Sequence, residues 1–167
     1  CKSVNDSLDI VSVTYYPLKS DFTMKPPGVV SSDFGALVAE YPNTHQPIYF
    51  AECGYASSPL CNSSETLQAD FWTEVFDVWD NYQANIKYIT LFKSTDWSSA
   101  TVNQLGHYYG IQDTIFKEYL RTLGVRTWNG DGENKEAYER IKCELDARNW
   151  CGVSCSLSTN LTEFANG

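Results

Sequence analysis

Glu52 is the residue in this sequence best placed to do chemistry. It ends the run Ile48-Tyr49-Phe50-Ala51-Glu52, whose β-branched and aromatic residues read as a strand, and it leads into the loop Cys53-Gly54-Tyr55-Ala56-Ser57-Ser58-Pro59. A carboxylate at the carboxyl end of a strand can attack an electrophilic carbon or exchange a proton, and it can also merely cap a helix or pair with a lysine. Alternation along the strand puts Ile48, Phe50 and Glu52 on one face. Tyr16, at the end of the earlier strand-like run 8–16, carries a hydroxyl able to reach a neighbouring strand end. Trp97, in the loop after a third strand-like run, offers an aromatic face for a ligand or for plain packing. Tyr55 offers the same two uses.

The elements that must position these residues alternate. Leu8 to Tyr16 reads as a strand stopped by Pro17, with Val11, Val13 and Tyr15 on one face and Ser12, Thr14 and Tyr16 on the other. After Lys25-Pro26-Pro27-Gly28 a helix is predicted from Ser31-Ser32-Asp33 through Phe34 to Tyr41, closed by Pro42. The strand ending in Glu52 follows. Ser63 or Ser64 then caps a long amphipathic helix reaching about Tyr82, with Leu67, Phe71, Val75 and Val78 or Trp79 at helical spacing. A third strand, Ile86 to Phe92, runs into Lys93-Ser94-Thr95-Asp96-Trp97-Ser98-Ser99. A helix-like segment lies near Val102 to Tyr108, Asp113 caps Thr114 to Leu123 with Gly124 as a left-handed stop, and Lys135 to Arg148 is a final helix. Strands alternating with helices of this length predict an α/β fold with a parallel sheet and right-handed crossovers, in three βα units.

Composition narrows the functions. Of 167 residues, 43% are hydrophobic and 14% aromatic, so a real core is affordable and aromatic platforms for a sugar or a base are available. The net charge of −9 disfavours a phosphate backbone, which excludes nucleic acid as the expected partner. No apolar run approaches the ~20 residues of a membrane span. The cysteines at 1, 53, 61, 143, 151 and 155 lack zinc-site spacing and suggest disulfides, Cys53 with Cys61 and Cys143 with Cys151 or Cys155 among the options. Sequons begin at Asn5, Asn62 and Asn160, and with the cysteines they predict a secreted or extracellular protein. His45 and His107 have no ligand spacing, and no phosphate loop, serine elbow or zinc pattern is present; no metal or cofactor is expected. Residues 1–150 form the expected folded part, and 151–167, rich in Ser, Thr and Asn, a disulfide-anchored extension.

The run Pro47-Ile48-Tyr49-Phe50-Ala51-Glu52-Cys53-Gly54-Tyr55 resembles the seventh strand of the retaining clan A glycoside hydrolases, which are (β/α)₈ TIM barrels. Asp9 to Pro17 resembles the sixth strand, Ile86 to Trp97 the eighth, and Tyr109 to Tyr138 the closing helices, so that the likeness covers roughly residues 8–148. The resemblance implies the carboxy-terminal portion of such a barrel, with Glu52 as nucleophile in double-displacement hydrolysis of a β-linked polysaccharide or oligosaccharide. It implies Tyr16 as the group orienting Glu52, and Tyr55, Phe92 and Trp97 as substrate contacts. The sequence departs from the clan in two ways. The acid/base Glu, which follows an Asn at the end of strand four, has no counterpart in this sequence, and Leu91, followed by Phe92, stands where many members have a sugar-stacking Trp. A complete barrel takes about 250 residues, so the amino-terminal remainder of the barrel is an expected partner. Two other readings stay open: a catalytically silent glycoprotein that binds glycans or builds an assembly, and a self-contained three-layer α/β domain.

Overall fold

The computed structural model describes residues 2–128, 132–150 and 152. A short helix α1 (Lys2–Asn5) precedes β1 (Val11–Tyr15), α2 (Val29–Glu40), β2 (Ile48–Cys53), α3 (Glu65–Asn81), β3 (Ile86–Leu91), α4 (Ser99–Tyr109), α5 (Thr114–Arg121) and α6 (Glu136–Ala147). The three strands form one parallel sheet in the order β1-β2-β3. The expected α/β alternation is present, and every strand lies within the predicted segment or within one residue of it.

The two faces of the sheet differ. On one, Val11, Ile48, Phe50 and Ile86 are fully or almost fully buried beneath α2 and α3. Phe34 of α2 stacks on Phe50 at 4.5 Å between ring centres, and Phe71 of α3 stacks on Tyr15 at 6.2 Å. The Tyr15 hydroxyl donates to Asp33 Oδ2 on α2 at 2.9 Å, which fixes the crossover over β1. The opposite face shows Ser12, Thr14, Ala51 and Tyr88 to solvent, with Tyr49 packed on Tyr88 at 5.6 Å.

Helix ends follow local chemistry. Ser64 accepts a hydrogen bond from Leu67 N–H and Asp113 one from Phe116 N–H, as their sequence positions predict. α2 begins at Val29, before the expected Ser31 to Asp33 start, because Pro26 and Pro27 accept the first turn's bonds from Val29 and Val30. Gly124 is not the left-handed stop expected of it; α5 ends at Arg121 with Thr122 as its cap, whereas α4 is closed by the left-handed Gly110. A Cβ on Gly124 would lie 2.2 Å from Asp96 N, so glycine is needed there for close approach of two backbones. α6 packs on α3, where Arg148 grips Asp80 with Nε and Nη2 and Glu144 with Nη1, and its side chain crosses Phe76.

The cysteine framework needs one correction. Cys53 and Cys61 are both free thiols. They are buried apart: Cys53 pairs with Tyr15 across the sheet, while the Cys61 thiol points to Ile115 O at 3.8 Å near α5. Cys143 is disulfide-bonded, and Cys1, Cys151 and Cys155 lie outside the described residues. The extension 151–167, with its sequon at Asn160, also lies outside them apart from Gly152.

Candidate active site

The backbone aims Glu52 by a bulge. Val13 pairs with Phe50 but Thr14 pairs with Glu52, so Ala51 is an extra residue in β2. Cross-strand partners share a face. Glu52 therefore joins Thr14 on the solvent-facing side instead of following Ile48 and Phe50 into the helix-covered core, and Cys53 takes the buried position opposite Tyr15. The simple alternation read from the sequence is thus broken one residue before the carboxylate. Ala-Glu-Cys carries no local signal of that break.

Tyr16 reaches the same place from the end of β1, and its hydroxyl donates to Glu52 Oε2 at 2.9 Å. Burial first, then this hydrogen bond, pushes the Tyr16 phenol far above its usual range, so it stays protonated and acts as a donor. Among the described residues Oε1 of Glu52 receives no hydrogen bond. Gly54 makes room for the arrangement, because a Cβ there would come within 3.0 Å of Tyr16 Cε1. The Tyr16 ring is held edge-on by Phe92 at 5.6 Å and by Tyr119 at 6.0 Å.

Around these groups lies a cavity of about 290 Å³ lined by Tyr16, Glu52, Phe92, Trp97, Tyr109, Ile111, Phe116, Tyr119, Leu120 and Leu123. Glu52 is the sole carboxylate among the described residues that line it. Four sequence-predicted residues, Tyr16, Glu52, Phe92 and Trp97, meet here. Tyr55 does not join them: it is 1% exposed, stacks on Phe71 at 4.9 Å and donates its hydroxyl to Lys25 O at 2.7 Å. Phe92 faces the cavity, while Leu91 pairs with Cys53 and packs under α3 and α6. Trp97 meets the Phe92 ring at 6.0 Å, and Lys93 Nζ sits over its indole 4.9 Å from the ring centre. The wall from α4 and α5 was not anticipated, although Phe116, Tyr119, Leu120 and Leu123 form an i, i+3, i+4, i+7 stripe that marks a packed face.

The loops around the cavity are tied by one buried ion pair. Lys135, 3% exposed, donates to Asp96 Oδ1 at 2.7 Å, Gly124 O at 2.8 Å and Ser57 Oγ at 3.0 Å, and Asp96 Oδ1 also accepts Gly124 N–H. Burial pushes the Asp96 carboxyl up and the Lys135 ammonium down, and each partner works against that shift in the other. Asp96 N–H bonds Arg126 O and Trp97 N–H bonds Arg121 O, so the loop carrying Trp97 is pinned at successive residues.

The remaining sequence candidates fall outside the cavity. Asn62 is exposed in a left-handed turn (φ 54°), accessible for a glycan, whereas Asn5 is 8% exposed and its amide contacts Tyr41 Oη at 3.5 Å. His45 and His107 are exposed. No group of three or more metal-ligating side chains occurs among the described residues, and none of the described helices is long and apolar enough to cross a membrane.

The fold has a counterpart among solved structures. A β-glucuronidase from Ruminococcus gnavus, in complex with uronic deoxynojirimycin, superposes with a TM-score of 0.51 at 16% identity, covering 81% of this chain and 22% of that one. The fold is similar to a piece of a glycoside hydrolase barrel. The chain spans about a fifth of that enzyme, and at this identity the likeness is one of fold. No protein-family model and no curated protein sequence matches the chain.

Proposed function

We propose that this chain is the carboxy-terminal part of a secreted retaining glycoside hydrolase acting on β-linked glycans, with Glu52 as nucleophile. The observation that carries the reading is the bulge-aimed carboxylate at the end of the middle strand, held by Tyr16 at 2.9 Å inside an aromatic-walled cavity. Active sites of such barrels form at the carboxyl ends of the strands. In the first step Glu52 Oε1 attacks the anomeric carbon, and the bond to the leaving oxygen breaks with its electron pair going to that oxygen. A carboxylic acid about 5 to 5.5 Å away protonates the leaving oxygen, then deprotonates the water that attacks the anomeric carbon and releases Glu52. We place that acid/base on the remainder of the barrel, since the described cavity lining holds no second carboxylate. Tyr16 keeps Oε2 occupied and so selects Oε1 for attack. The exposed sequon at Asn62 and the disulfide at Cys143 support a location outside the cytosol.

The test is covalent trapping with a set of 2-deoxy-2-fluoro-β-glycosides bearing dinitrophenolate, a leaving group that needs no proton donor. Peptide mass spectrometry should place the sugar on Glu52. A sugar on another carboxylate would overturn the assignment, and glycan binding without any trapped sugar would favour the catalytically silent glycoprotein, a reading supported by Glu52 being the sole carboxylate among the described residues of the cavity.

A further inference from the structure

Trp97 is a wall shared by the Glu52 cavity and a second cavity, of about 420 Å³, built from the loops after β2 and β3 and from the connector between α5 and α6. The second cavity differs in chemistry. Its two cations are already engaged, Lys135 with Asp96 and Arg121 with Glu118, and Glu65 adds a further carboxylate to the lining, so an anionic ligand finds no free positive charge there. Its polar groups are ordered before any ligand arrives: Ser58 Oγ donates to Glu118 Oε1 at 2.7 Å, and Ser57 Oγ accepts from Lys135. Ser58 Oγ also accepts Leu60 N–H at 3.3 Å, so each of the two hydroxyls retains one lone pair for an incoming hydroxyl donor. Trp128, 57% exposed and part of this lining, gives an apolar face beside them. Fixed carboxylates and hydroxyls next to an exposed indole suit a ligand with many hydroxyls and an apolar ring face.

We propose that this cavity binds a neutral glycan segment that continues past Trp97 from the sugar in the Glu52 cavity. The polyol chemistry comes from the lining itself, while the choice of a glycan rests on the proposed function. The experiment uses the full chain carrying Glu52→Gln and a set of neutral β-1,3-, β-1,4- and β-1,6-linked hexasaccharides, with binding followed by calorimetry. At least one hexasaccharide should bind, with Trp128→Ala weakening it tenfold or more and Trp128→Phe retaining most of it. Equal binding by Trp128→Ala, tighter binding of a carboxylated hexasaccharide, or no binding across the set would overturn the proposal. Covalent trapping at Glu52 is scored separately, so failure of the nucleophile assignment is distinguishable from failure of this site.

Discussion

Glu52 and Cys53 are adjacent in sequence and face opposite ways, and this contrast governs what each can do. Glu52 opens on a cavity and is held by one donor, so Tyr16→Phe removes a hydrogen bond to a carboxylate worth about 1.5–3 kcal/mol. If the proposed mechanism holds, kcat of the assembled enzyme should fall by roughly ten- to a hundredfold with the fold intact, as read by circular dichroism beside the kinetics. Cys53 and Cys61 are 0% exposed, and burial pushes the Cys61 thiol to about 12 and Cys53 still higher. Only the thiolate reacts. Neither should react with a disulfide reagent at pH 8 in the native protein, and both should do so after unfolding; prompt native labelling of either would show that its packing differs from that described.

At the scale of elements, two glycines separate stability from alignment. Gly124→Ala places a Cβ against the Asp96 backbone and should lower stability by about 3 kcal/mol, the upper end of overpacking costs, read as a drop in thermal midpoint. Gly54→Ala comes closest to the Tyr16 ring edge, at 3.0 Å, and meets Leu123 Cδ2 at an ordinary 3.5 Å, so it should melt closer to the parent while shifting Tyr16 and impairing whatever Glu52 does. The ion pair behaves differently again: Lys135→Met strands a buried carboxylate and should cost about 3–5 kcal/mol, with Asp96→Asn in the same chain restoring part of it. These features also mark how far sequence reading reaches. Val, Ile and aromatic runs reveal the strands, and Ser64 and Asp113 reveal helix starts, because those signals are local. The Ala51 bulge depends on how β1 and β2 pair, and the function of Gly124 depends on a loop 28 residues away, so neither has a signature in its own neighbourhood. Tyr16, Glu52 and Phe92 stand at or just beyond a strand end and Trp97 in the loop that follows β3, where a parallel sheet gathers side chains, so their meeting in one cavity was open to sequence reading. Of the two uses open to Tyr55, the structure shows packing, because the loop after β2 folds back beneath α3 and leaves it out of the cavity.

For the molecule as a whole, the sheet is half covered. β1 and β3 each pair only with β2 among the described strands, and Ser12, Thr14, Ala51 and Tyr88 face outward. If further barrel strands complete the sheet, hydrogen exchange should be slow at β2 amides in the isolated chain and fast at the outward amides of β1 and β3, the latter becoming protected when the remaining strands are supplied in trans. Unchanged exchange at both edges on adding them would argue for a self-contained domain.

The knot at Lys135 also sets an order of events during synthesis. Asp96 and the ammonium that neutralises it are 39 residues apart, and at about 5–20 residues per second the ribosome needs some two to eight seconds to bridge that gap. Sheet and crossover helices are all made before the cation exists. The loops at this end of the fold are therefore pinned only after the three strands and α2 to α5 have been made, and until Lys135 emerges the nascent chain carries its Asp96 carboxylate without its cation.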